Sequence, residues 1–336
     1  MGLLEVQGSI DLSQFWQEGQ SDADTVKVTL DKNAFSFQSS PNSGSKITHV
    51  FDDAQVAGKV RKSPIDKKGR LTIRLQGIDA PELHYRPSPL STKEKSKYTT
   101  NQLTAFKDSD KDYRQHFGET ATVQLHELLK KSGSDTIECK VKTSVKEPNE
   151  VFDTYGRFIG DIIVEQNSKE LNINHWLVEN GWAFPTFYVS MSTEEITSLT
   201  EAAKKGHKNK NGIWKYYTGV VGTFDYNLTF RSHGMPDAKS DAGSLVMPKI
   251  FRRQCTYSAY KKAKINSGSY VDYLKNHPDA CFLTKDILEQ GISASKPYFL
   301  HMFFKGSTLT EEPQDLAFSE EPSTLVDNSG KKILTW

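Results

Sequence analysis

An arginine and two carboxylates stand within nine residues of one another in Arg74-Leu75-Gln76-Gly77-Ile78-Asp79-Ala80-Pro81-Glu82. The stretch is entered from Arg70-Leu71-Thr72-Ile73, and from Leu71 to Leu75 apolar and polar residues alternate, the period of a strand with one buried face. Leu71, Ile73 and Leu75 share the inner face, which leaves Thr72, Arg74 and Gln76 pointing the other way. Gly77 relaxes the strand. Ala80-Pro81 then ends it, because proline gives no ladder hydrogen bond and pushes its predecessor into an extended conformation. A strand that displays an arginine therefore runs into a turn that presents Asp79 and Glu82. Such a set suits an enzyme that must hold a divalent cation, activate a water and neutralise phosphate charge. A purely structural segment has little use for it.

A second segment, Asp153-Thr154-Tyr155-Gly156-Arg157-Phe158-Ile159-Gly160, supplies another arginine, on a hairpin expected between Val151 and Val164. Together the two stretches resemble the staphylococcal nuclease (thermonuclease) family, whose signature is an arginine-bearing strand running into Asp-x-Pro-Glu, followed later by Asp-x-Tyr-Gly-Arg. The internal spacing agrees, with eight steps from Arg74 to Glu82. The resemblance continues through Asn172-Ile173-Asn174-His175-Trp176-Leu177-Val178-Glu179-Asn180-Gly181-Trp182-Ala183 and reaches Gly212-Ile213-Trp214, roughly two-thirds of the chain.

The resemblance implies an α+β fold, an OB-like five-stranded β-barrel with packed helices. It implies that Arg74 and Arg157 clamp a scissile phosphate, that Glu82 is the general base or positions the water, and that Tyr155 meets the substrate. For Ca²⁺ it implies Asp24, Asp79 and the Ala80 carbonyl. The family's early Asp-Gly-Asp-Thr has its closest match in Asp22-Ala23-Asp24-Thr25, some fifty residues ahead of Arg74. A rival lies nearer, at Phe51-Asp52-Asp53-Ala54-Gln55, where alignment puts Ala54 in the carboxylate's place and leaves Asp52 or Asp53 as the partner. Asp24 is favoured because Asp-Thr followed by Val-Lys-Val gives a turn entering a regular strand. Where family members often carry a lysine before the tyrosine, this chain has Thr154.

The activity implied is a Ca²⁺-dependent endonuclease with little sequence preference, acting on DNA and RNA and leaving 3′-phosphate ends. The alternative is a catalytically inactive nucleic-acid-binding or scaffold module of the same fold. Survival of Arg74, Glu82 and Arg157 together favours the enzyme.

The elements that must position these groups follow from the patterning. Asp24 to Leu30 and Ile137 to Val141 alternate as strands, and Glu119 to Lys131 reads as a helix with Ala121, Leu125, Leu128 and Leu129 on one face. Asn174 to Asn180 reads as a short helix with Trp176 and Leu177 inward. Ser192-Thr193-Glu194-Glu195 has the form of a capping box opening a helix that stops at Gly206. Residues 83–117 form a long polar insert, either a cover for the substrate or a solvated loop. The basic stretch Lys204 to Lys210, followed by Trp214, Tyr216 and Tyr217, suits a nucleic-acid strand or a solvated helix end.

After Thr223 the composition changes, and Ser/Gly/Asp/Pro punctuation from Gly234 to Gly243 reads as a linker. The chain of 336 residues thus divides into a catalytic unit at 1–222 and an extension of unread function at 223–336, with helices near Tyr257–Lys264 and Tyr270–Leu274. Because every motif precedes Thr223, the first unit is expected to act alone. Lys and Arg total 43 against 42 Asp and Glu, a net charge of +1, so any basic surface must be local. Cys139, Cys255 and Cys281 are too few and scattered for a zinc site or a disulfide framework, and buried thiols are expected, with a Cys255–Cys281 pair as the alternative. The start, Met1-Gly2-Leu3-Leu4-Glu5, shows no signal-peptide pattern. Cytoplasmic residence is the default expectation, and export would need a leader upstream.

Overall fold

Alternation fixes the central layer. Five strands close into a barrel: β1 (Gly2–Asp11), β2 (Thr25–Leu30), β3 (Arg70–Leu75), β4 (Thr136–Val145) and β5 (Phe158–Gln166). β2 lies antiparallel between β1 and β3. β3 runs parallel to β5, with Ile159 opposite Arg74. β4 is antiparallel to both β5 and β1 and closes the ring. The inward residues are those that alternation selects: Val26 and Val28 from β2, Leu71, Ile73 and Leu75 from β3, and Val141, Phe158 and Ile162 from β4 and β5, all buried. This computed structural model describes residues 2–13, 22–31, 34–38, 46–50, 55–57, 61–145, 148–230, 243–266, 268–319, 323–327 and 329–332.

Helix α1 (Gly118–Lys130) follows β3 and buries Ala121, Leu125, Leu128 and Leu129 in the same core. After β5 come α2 (Ile173–Glu179) and α3 (Thr193–Lys208), packed on each other. The Ser192 capping box forms as the sequence indicates. Three local expectations change. α3 continues two residues past Gly206, which is no stop: a Cβ there would lie 2.9 Å from the Glu179 carbonyl, so glycine lets the two helices touch. In α2, Val178 joins Leu177 inside, and Trp176 is only half-buried. The expected hairpin at 151–164 is reduced to a tight turn with one bridge, Phe152 to Phe158, because β5 pairs along its length with β4 and β3.

The insert at 83–117 is folded. Tyr85 and Tyr113 exchange backbone hydrogen bonds of 2.7 and 3.0 Å, and two short helices, Thr92–Lys95 and Thr100–Lys107, lie between them. It packs against α4 (Pro248–Lys262) from the C-terminal part. The Ser88 N–H donates to Thr256 Oγ1 at 3.1 Å, and the Tyr260 hydroxyl donates to Glu94 at 2.9 Å.

Residues beyond 222 share the core of the first 222. Strand β6 (Phe187–Tyr188) pairs in parallel with β8 (Leu316–Phe318), which also pairs with β7 (Ala280–Leu283). Ile250, Phe251, Leu316 and Phe318 belong to one apolar cluster with Leu71, Phe184 and Phe187. The described part of the C-terminal region is therefore packed on the barrel side rather than tethered to it. Most of the linker read at Gly234–Gly243 lies outside the described residues. All three cysteines are free and buried, so the Cys255–Cys281 pair does not form. No helix among the described residues is long and apolar enough to cross a membrane.

Candidate active site

Pairing of β2 with β3 sets Thr25 opposite Arg74 and so carries Asp24, just before β2, to the arginine across fifty residues of sequence. Arg74 is held on both sides. Its Nη1 lies 3.1 Å from Asp24 Oδ2, and its Nη2 donates to Asp79 Oδ1 at 2.8 Å. Asp24 Oδ2 also accepts from the Ala80 N–H at 2.8 Å, which fastens the Asp79–Glu82 turn to the start of β2. Asp24, Asp79, Ala80 and Arg74 are thus brought together. Asp52, Asp53 and Ala54 lie outside the described residues.

The second arginine arrives from the neighbouring strand. Asp153 builds the turn before β5: its Oδ1 accepts from the Tyr155 and Arg157 N–H groups, both at 2.9 Å. Its other oxygen accepts from Arg157 Nε at 2.7 Å, and Arg157 Nη1 donates to Thr25 Oγ1 at 3.1 Å. Thr25, on β2 at the far side of β3, thereby links the two guanidinium sites. Tyr155 is 74 % exposed, with Arg157 5.6 Å from its ring centroid, so its face is available to a ligand.

Arg74, Gln76, Asp153, Tyr155, Arg157 and Tyr188 line a cleft of about 470 Å³, and Ile292 and Ser319 of the C-terminal part complete its wall. None of its lining residues comes from the insert, which supports α4 instead. Asp79 and Glu82 lie behind this lining, buried.

Residues 72–216 match the family described as Staphylococcal nuclease homologue. They belong to a nuclease domain like that of staphylococcal nuclease. A 155-residue stretch is 32 % identical to Endonuclease YhcR of Bacillus subtilis (strain 168); it covers 46 % of this chain and 10 % of that protein. The chain therefore spans about a tenth of that relative's length.

Within the nuclease domain, the general-base candidate Glu82 is closed off. Its carboxylate is ion-paired with Arg252 of α4, which also grips both oxygens of Asp79, at 3.1 Å through Nη1 and 2.7 Å through Nη2. Burial pushes the Glu82 carboxyl up to about 8 against the Arg252 charge, with Asp22, Asp79 and Asp24 adding to the rise. Burial likewise pushes Asp22 up to about 7, with Asp24 beside it, while its carboxylate accepts the Leu83 N–H. Burial acts upward on Asp79 too, but the Arg252 and Arg74 charges outweigh it and hold that group below the ordinary carboxylate range.

With Arg252 seated, the donors that the family resemblance assigns to Ca²⁺ do not fit a cation. Asp79 has both oxygens on guanidinium groups, and Asp24 Oδ2 is shared by Arg74 and the Ala80 N–H. Among the described residues, no group of three or more His, Cys, Asp or Glu side chains is placed to hold a metal ion.

Sequence reasoning missed four contributors. Asp153 could have been found, since an aspartate two and four residues before N–H groups in a glycine turn is the expected Asx arrangement. Asp22 stood inside the quoted Asp-Ala-Asp-Thr. Gln115 holds the Glu82 N–H at 3.1 Å and the Val246 carbonyl at 2.9 Å, tying the Asp79–Glu82 turn to the C-terminal part. Neither Gln115 nor Arg252 carries a local signal.

Proposed function

We propose that the chain is a nuclease hydrolysing phosphodiester bonds of DNA and RNA with little sequence preference. The observation that carries this reading is the convergence of Arg74 and Arg157 on Thr25, along one cleft wall that also bears Tyr155. Phosphodiester hydrolysis passes through a five-coordinate species that gathers negative charge, so electrostatic stabilisation is the main demand. Two guanidinium groups meet it, each permanently charged and able to grip two phosphate oxygens. Asp153 and Thr25 fix the Arg157 fork before substrate arrives, so little reorganisation is needed. In this reading Arg74 and Arg157 bind the scissile phosphate, Arg157 assists the leaving oxygen, Glu82 draws the proton from the attacking water, and Tyr155 stacks on a base or meets the next phosphate.

Dependence on Ca²⁺ is part of the same proposal. Asp24, Asp79 and the Ala80 carbonyl are hard oxygen donors, but Arg252 must leave Asp79 before they can serve. Kinship with a domain of Endonuclease YhcR supports the reading, as does the retention of Arg74, Glu82 and Arg157 together. The test is to incubate the purified full chain with supercoiled plasmid and with single-stranded RNA, in Ca²⁺ and in chelator. Cleavage of both, lost in chelator, is expected. Retention of nucleic acid without cleavage would sink the enzyme reading and leave the binding module.

A further inference from the structure

The family match ends at residue 216, yet the cleft that holds Arg74 and Arg157 is finished by two residues far beyond it. Strand β8 puts the first one there. Tyr188 pairs with Phe318, and the Val189 N–H donates to the Phe318 carbonyl at 3.1 Å, so Ser319 follows directly beside the β6 edge of the cleft. A turn after the helix Thr284–Gln290 puts the second there. Gly291, at φ +77°, swings the chain round. Ser295 locks the turn: its N–H donates to the Ile292 carbonyl at 3.2 Å and its hydroxyl to the Gly291 carbonyl at 2.8 Å. Ile292 is thereby held at the cleft, half-buried.

Phosphate binding does not account for that wall. Two guanidinium groups that grip a phosphate need charge and donors around them, but Leu75, Phe152, Ile159, Tyr188, Val189 and Ile292 give the cleft an apolar lining. Gln76, Ser190 and Ser319 set polar groups among these. Cations beside an apolar lining with a few polar groups match the two halves of a nucleotide, its charged backbone and its flat base with a hydrogen-bonding edge. The cleft volume of about 470 Å³ lies in the range usual for a small ligand, ~300–1,000 Å³. That is room for one nucleotide and too little for both strands of a duplex.

We propose that the C-terminal part completes a seat for one unpaired nucleobase in this cleft, with Ile292 as its specificity-determining wall. The backbone phosphate meets Arg74 and Arg157, and the attached base, freed from its pair, lies against Ile292 with Ser319 at the rim. Choice of an unpaired strand then comes from residues outside the family match, which gives the packing of β8 on β6 a use in substrate selection. The strand as occupant rests on the nuclease reading. Binding in chelator needs no cleavage, so a chain that binds but never cuts fails that reading and still meets this test.

Fluorescence anisotropy on the full chain in chelator compares two labelled strands of equal length and charge, a single-stranded oligothymidylate and a backbone of tetrahydrofuran abasic units. The wild type should bind the strand with bases about tenfold tighter, the scale of one seated base. In Ile292→Ala, checked for folding by circular dichroism, that ratio should fall to about threefold or less, while affinity for the abasic strand stays within about twofold of wild type. Leu288→Ala changes an exposed side chain of the preceding helix that does not line the cleft, and should keep the wild-type ratio. A wild-type ratio under about twofold, a full ratio in folded Ile292→Ala, or no binding of either strand overturns the proposal. If Ile292→Ala does not fold, Ile292→Thr serves, since it keeps the branched Cβ and puts a hydroxyl on the apolar wall. The ratio should then fall by a smaller factor, and an unchanged ratio in that variant likewise overturns it.

Discussion

Replacing Arg157 by lysine keeps the charge and removes the geometry. In the wild type, Nε is committed to Asp153 and Nη1 to Thr25, which leaves the outer face of the guanidinium, Nη2 included, directed for phosphate oxygens. Lysine offers one nitrogen in place of three. Asp153 carries the nearest negative charge, so the ammonium is drawn to it and away from the phosphate position. The loss is then that of one oriented transition-state donor, about 3 kcal/mol, or 10²- to 10³-fold in kcat. The structural cost is small by comparison. The pair with Asp153 is part-exposed, 29 % and 18 % for the two side chains, and such pairs contribute at most about 1 kcal/mol. Steady-state cleavage of a fluorogenic oligonucleotide separates kcat from KM, and thermal melting reports stability. A fall in kcat with a Tm near wild type is expected. A kcat within about threefold of wild type would show that Arg157 only braces its turn, and the two-arginine argument would fail.

Gln115→Ala leaves the Glu82 N–H and the Val246 carbonyl buried without their partner, so unfolding free energy should drop by about 1–3 kcal/mol in a urea titration; no change would deny the link. Gly181→Ala demands a left-handed backbone at φ +71° and sets a Cβ 2.2 Å from the Asn211 carbonyl, so destabilisation of about 2 kcal/mol or more is expected by the same method. Burial pushes the Cys139 and Cys281 thiols up to about 12, so at pH 8 about one in ten thousand is ionised and the native chain should resist iodoacetamide; rapid native labelling at either would contradict their burial. A chain ending at 222 loses β8 beside β6 and bares Phe187, so it should lack a cooperative melt by circular dichroism, whereas a soluble, cooperative, active fragment would bear out the expectation that the first 222 residues act alone.

How much was legible depended on how local the cause was. The alternation of Leu71, Ile73 and Leu75 fixes a strand and its inner face within six residues, and β3 follows it. The Ser192 capping box is likewise complete within four residues. Asp24 is a different case. Its place beside Arg74 comes from pairing between β2 and β3, a contact across fifty residues that spacing alone does not reveal. Gly206 reads as a helix stop locally, and only the approach of α2 shows why glycine stands mid-helix. Arg252 was beyond reach. An arginine in a run of Lys249, Arg252 and Arg253 looks like a solvated helix face until tertiary packing turns one of the three onto Asp79 and Glu82.

Cleavage of a 5′-labelled oligonucleotide in Ca²⁺ by the full chain, run beside Arg74→Gln with identification of the new ends, tests the central claim most directly. Arg74 sits between Asp24 and Asp79 and lines the cleft, so its charge meets the phosphate where hydrolysis is proposed. The wild type is predicted to yield shortened products ending in 3′-phosphate, and Arg74→Gln, still folded and still binding the strand, to cleave slower by about 10²-fold or more. Equal rates in the two proteins, or an intact strand bound by the wild type, would contradict it.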